Sequence, residues 1–95
     1  MAKDWGRAEQ FWEKGCALGN ELGCIWLADK YAAGEGVAQD WQRANAWYDK
    51  ACALDSIKAC AELASSYDKG RGVTPDAVRA RALQEKARWL QAAKH

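Results

Sequence analysis

Apolar residues along this chain recur at i, i+3, i+4 and i+7, the spacing that gathers them on one face of an α-helix. In the first stretch Trp5, Ala8, Phe11, Trp12, Gly15, Cys16 and Leu18 share one arc, while Arg7, Glu9, Gln10, Glu13 and Lys14 take the other side. A short break at Leu18-Gly19-Asn20 precedes a second stripe, Cys24, Leu27, Ala28 and Tyr31. Asp4 and Asn20 are suited to cap these helices, since a short polar side chain accepts hydrogen bonds from the first free helical N–H groups. The second helix is expected to stop at Gly34-Glu35-Gly36-Val37, where the first glycine suits a left-handed C-terminal position and the valine can plug the core.

The same pattern returns 36 residues later. Residues 4–39 overlie 40–75 without a gap at 15 identical positions, including Asp4/Asp40, Trp5/Trp41, Cys16/Cys52, Cys24/Cys60, Tyr31/Tyr67, Gly34/Gly70 and Gly36/Gly72. The second copy carries its own arc (Trp41, Ala44, Trp47, Tyr48, Ala51, Cys52, Leu54), a cap at Ser56, and the stripe Cys60, Leu63, Ala64, Tyr67. An internal repeat of this length signals stacked helical hairpins. Asp76 opens one more helix with Ala80, Leu83, Ala87 and Leu90 on its arc, but Gln84 replaces Tyr48 and Arg88 replaces Cys52. Those polar changes suit the outer edge of a terminal helix. The predicted fold is therefore all-α, a short α-solenoid of two helix-turn-helix repeats (4–39 and 40–75) and a capping helix (76–95), forming one domain.

Composition narrows the function. Fourteen basic and 13 acidic residues leave a net charge of +1, so no basic field points to nucleic acid. No apolar run approaches the roughly 18–20 residues needed to cross a membrane. Met1-Ala2-Lys3-Asp4 passes directly into the helical pattern, without a secretory leader.

The string Ala44, Tyr48, Lys50, Ala51, then Leu63, Ala64, Tyr67, Gly70, Gly72, Val73 and Asp76 resembles the SEL-one-like repeat, a relative of the tetratricopeptide repeat. The Cys-bearing form is similar to the cysteine-rich Helicobacter-type proteins of that family. The resemblance covers essentially the whole chain. It implies a protein-binding solenoid in which each repeat's cysteine pair, Cys16/Cys24 and Cys52/Cys60, joins its two helices as a disulfide.

The residues themselves allow three chemistries for these cysteines. An antiparallel hairpin can bring each pair within the Cα separation a disulfide needs. Reduced thiols packed as small hydrophobes are the second reading. Zinc is the third, disfavoured because pairs in successive repeats should lie roughly 10 Å apart, the spacing of packed helices, while each ligand must sit about 2.3 Å from the metal. No metal or cofactor is expected. Disulfides would imply a periplasmic or secreted protein, whereas the missing leader favours the cytoplasm.

Catalysis is not expected. Ser66-Tyr67-Asp68-Lys69 matches the Ser-x-x-Lys nucleophile motif, and cysteine-rich members of the resembled family are associated with penicillin binding and weak beta-lactam hydrolysis. However, Ser66 falls in the last turn of its helix, at the negative end of the dipole. The stretch also lacks a convergent acid and base.

The remaining candidates are binding residues. In tetratricopeptide-like arrays the first helix of each repeat lines a concave groove, which nominates Trp5, Glu9, Trp12, Trp41, Arg43, Asn45 and Tyr48. Trp26, matched by Glu62, and Trp89, matched by Ala17 and Ala53, are also expected to reach solvent or a partner. The aromatic first helix has no earlier helix to cover it, so further repeats or self-association could occupy that end. Together these features predict a non-catalytic module that binds a protein or peptide. An immunity protein that blocks a toxin and a penicillin-binding hydrolase are the alternatives.

Overall fold

A computed structural model describes residues 5–93, with the side chain of Trp5 outside the described set, as are Asp4 and the end of the chain. It contains five helices: α1 (Trp5–Ala17), α2 (Glu21–Ala33), α3 (Trp41–Ala53), α4 (Ile57–Lys69) and α5 (Ala77–Ala93). Each packs chiefly on its neighbours in sequence, α1 on α2, α2 on α3, α3 on α4 and α4 on α5. The resulting slab measures 39 × 29 × 17 Å. Such nearest-neighbour packing is the mark of a solenoid, in which each unit buries its apolar face against the next.

The predicted caps form. Asn20 accepts from Leu22 N–H, Asp40 from Arg43 N–H, Ser56 from Ala59 N–H and Asp76 from Arg79 N–H, at 3.0–3.2 Å. At the other helix ends, Gly34 and Gly70 both adopt φ 73° and donate their N–H groups to the carbonyls of Lys30 and Ser66. A side chain would be strained in that left-handed conformation, which explains glycine at both positions. The chain then turns back, so that Asp40 N–H bonds to Tyr31 O and Asp76 N–H to Tyr67 O. Arg43 and Arg79 each donate to the tyrosine hydroxyl of the preceding helix, at 3.3 and 3.1 Å, with the guanidinium over the ring. One set of contacts is thus built twice.

The core consists mainly of Cys16, Cys24, Ala28, Tyr31, Ala44, Tyr48, Ala51, Cys52, Ala59, Cys60 and Leu63, with Ala87 and Leu90 from α5. Of the described members of the first apolar arc only Cys16 belongs to it; Ala8, Trp12 and Gly15 are half-buried, and two are exposed. Phe11 is 67% exposed and Leu18 85%, although their counterparts Trp47 and Leu54 are more covered. The arc was read as a core face, but burial needs a neighbour: α3 has α1 beside it, whereas no described helix precedes α1.

The two hairpins also differ in closeness. At Gly23 an added Cβ would lie 2.5 Å from Trp12 O and 2.9 Å from Cys16 N, both backbone atoms that cannot swing aside. The equivalent position in the second hairpin is Ala59, fully buried. Gly23→Ala is therefore expected to cost about 1–3 kcal/mol by overpacking, despite alanine's better helix propensity. Urea unfolding of this variant beside Ala59→Gly measures it. An unchanged or raised midpoint for Gly23→Ala would contradict the close approach.

Candidate functional site

Two covalent links set the frame. Cys16 is bonded to Cys24 and Cys52 to Cys60, with Cα separations of 4.8 and 4.7 Å, so no described cysteine is free. Each link joins the C-terminal end of one helix to the first turn of the next. Among the described residues, no cluster of three or more His, Cys, Asp or Glu side chains is arranged to hold a metal.

On the side of the slab where α1 and α3 lie next to each other, a cleft runs between them. One part, about 530 Å³, is walled by Glu13, Cys16 and Ala17 of α1, by Trp47, Lys50 and Ala53 of α3, and by Leu54, which caps α3. A second part, about 240 Å³, continues past Glu9, Tyr31, Arg43 and Ala46. Trp47 forms an apolar wall, with the Lys50 ammonium 4.8 Å from its ring centroid. Carboxylates of α1 thus face cations of α3 across an aromatic floor. Glu9 accepts a 2.6 Å hydrogen bond from the Tyr31 hydroxyl, whose proton is held more tightly because of burial and this carboxylate acceptor. Arg43, exposed, is held in its charged form by the Tyr31 hydroxyl and by the negative charges of Asp40 and Glu9.

The candidates divide. Glu9 and Arg43 line the cleft. Two others do not belong to a binding surface. Tyr48 is 2% exposed, and its hydroxyl donates at 2.5 Å to Asp29, which also pairs with Lys58 at 2.9 Å. Burial, then the Asp29 carboxylate, pushes the Tyr48 phenol well above its usual range, so it stays neutral. Asn45 is likewise buried and donates to Arg71 O at 2.6 Å, tying α3 to the loop after α4. Both hold the array together because their positions turn toward neighbouring structure rather than toward the cleft.

The tryptophans also fall into groups. Trp12 and Trp26 are half-buried and stack on each other at 5.3 Å, at the α1 end. Trp41 is half-buried beneath the Arg71 guanidinium, 4.4 Å from the ring. Trp89 is 68% exposed. Trp47, on the apolar arc of the second copy, is the aromatic that the cleft presents. Its signal was Lys50 one helical turn on, a spacing that brings an ammonium over a ring. Ser66, the one residue in a nucleophile motif, is completely buried.

This geometry sits on a repeat that other proteins share. The sequence profile of the Sel1 repeat matches residues 3–20, 22–56 and 57–88, most of the chain. The chain belongs to the Sel1 repeat family. The second and third matched segments begin at the second helix of each hairpin, half a repeat away from the 36-residue frame used above. Among solved structures, Helicobacter pylori cysteine-rich protein B superposes with a TM-score of 0.81 and 34% identity over 86% of this chain. A Sel1 repeat protein from Oxalobacter formigenes gives 0.77 and 30% over 92%. The chain spans 62% and 63% of the lengths of these two Sel1 proteins. Curated proteins yield no match. Sel1 repeats are generally protein-interaction modules, and no described helix here is long and apolar enough to cross a membrane.

Proposed function

We propose that this chain is a non-catalytic binding module whose cleft between α1 and α3 takes an extended segment of a partner protein. The carrying observation is the Trp47 wall with Lys50 above it and Glu13 opposite. An apolar partner side chain would be desolvated against Trp47, Ala53 and Leu54, while a neighbouring carboxylate meets Lys50 and a neighbouring amine meets Glu13. Affinity would come from the anchor and selectivity from the charges. The disulfides support this by stiffening each hairpin, so that each wall of the cleft is ordered before a partner arrives. They also favour an oxidising location outside the cytoplasm, periplasmic or secreted.

An adaptor and a toxin-blocking immunity protein would use the same cleft. The hydrolase reading lacks support because the Ser66 hydroxyl is sealed inside α4. Self-association would involve the other side of α1 and is a separate property.

Panning a random peptide library against the folded, oxidised protein tests the proposal. Enriched peptides are expected to share an apolar residue beside an acidic one. Their affinity should fall about 30-fold or more in Trp47→Ala, the loss typical of a hot-spot residue. Lys50→Glu should invert the charge preference. Peptides that bind Trp47→Ala as well as the parent, or no enrichment at all, would reject the cleft as the site.

A further inference from the structure

The two walls of the cleft between α1 and α3 carry opposite charges. Glu9 and Glu13 stand on the α1 side, Arg43 and Lys50 on the α3 side. Among the described residues no ion pair joins one wall to the other. Arg43 and Glu9 are linked through the Tyr31 hydroxyl, which accepts from one and donates to the other. Lys50 lies over the Trp47 ring. Glu13 is exposed and lines both parts of the cleft, with neither a hydrogen bond nor an ion pair among the described residues.

Spacing decides what fits between these walls. Glu9 and Glu13 are four residues apart on a helix, about 6 Å along its axis. In an extended chain, alternate residues are about 6.6–6.8 Å apart and point to one side, while those between them point to the other. Arg43 and Lys50, seven residues apart, span about 10.5 Å with Trp47 between them.

We infer, on the reading that the cleft takes an extended segment, that the partner carries five residues in the order acidic, basic, apolar, basic, acidic, lying along the helix axes. The two basic residues face Glu9 and Glu13. The apolar residue meets Trp47, and the flanking acidic residues reach Arg43 and Lys50. Those two are about 13 Å apart in an extended chain, a difference that the long Arg43 and Lys50 side chains take up. On the α3 side the apolar residue thus stands beside acidic ones, next but one in sequence. Both walls belong to this chain and face each other, so a hairpin packed before α1 or after α5 leaves the site in place.

Two synthetic peptides of equal composition test the order, titrated against the full oxidised chain by tryptophan fluorescence. One has the core glutamate, lysine, leucine, lysine, glutamate; the other exchanges its glutamates and lysines. The exchanged peptide can satisfy both walls only by turning its leucine away from Trp47. The first should bind about tenfold or more tightly than the second, and weaken as salt is raised. Glu13→Lys should cost the first peptide about tenfold in affinity. Changing one of its lysines to glutamate should restore binding to that variant, and which lysine does so gives the strand direction. Equal binding, a preference for the exchanged peptide, no binding by either, or no rescue would overturn the inference. Library peptides that need Trp47 but lack the alternating charges would overturn it and leave the cleft as the site. Binding indifferent to Trp47→Ala would reject the cleft itself.

Discussion

Reducing both disulfides is expected to lower the unfolding free energy of this chain by about 5 kcal/mol, taking each link as worth roughly 2.5 kcal/mol for the short loop it closes. The whole stability of a domain this small is of similar size, so the reduced protein should be largely unfolded near physiological temperature. The reason lies in the packing. Several core positions are alanines (Ala28, Ala44, Ala51, Ala59), which contribute little buried area. The cross-links make up the shortfall by restricting the unfolded chain. Far-UV circular dichroism melts with and without a thiol-free reductant measure the effect, and the midpoint should drop by about 20 °C or more. Cys16→Ser with Cys24→Ser, or Cys52→Ser with Cys60→Ser, should each produce about half the loss. A shift of only a few degrees on full reduction would show that the helix packing suffices by itself.

The second large effect is expected at Gly72. It has φ 72°, and a Cβ built there would come within 2.6 Å of the Trp41 carbonyl carbon and 2.7 Å of Gln42 N. The loop after α4 therefore lies directly on the backbone at the start of α3. Gly72→Ala combines left-handed strain of about 1–2 kcal/mol with a steric conflict of about 1–3 kcal/mol, a loss near 3 kcal/mol in total. It should also disturb the neighbouring Arg71, which covers Trp41, donates to Ser65 and lends its carbonyl to Asn45. Urea unfolding followed by tryptophan emission reports both stability and the Trp41 environment. A variant as stable as the parent with unchanged emission would refute the close approach.

The architecture was legible in the sequence because the 36-residue offset repeats structural signals as well as residues. Asp40 and Ser56 announced their helices, and paired glycines announced the ends. The site was less legible for identifiable reasons. Tyr48 looked like a groove aromatic, yet its partner is Asp29, 19 residues back in the other repeat, and the counterpart of Asp29 is Ser65. A contact made once in a repeating chain leaves no repeated trace. Asn45 was misread similarly, since its bond to the Arg71 carbonyl involves a backbone atom that no residue type advertises. Phe11 shows the opposite failing: periodicity finds the apolar side of a helix but not whether another element covers it. Trp47, by contrast, could have been recognised from Lys50 three residues later.

Neither covalent link crosses from one repeat to the next. Each closes a single hairpin, α1 with α2 or α3 with α4, and leaves the seam between the hairpins to noncovalent contacts, among them Tyr48 to Asp29, Lys58 of α4 to Asp29, and Arg43 to Tyr31. The sulfur–sulfur bonds therefore leave the placement of one hairpin on the other to the packing of α2 against α3. That packing sets the distance between α1 and α3, and with it the width of the cleft. A substitution at the junction can thus reshape the cleft while both disulfides stay intact.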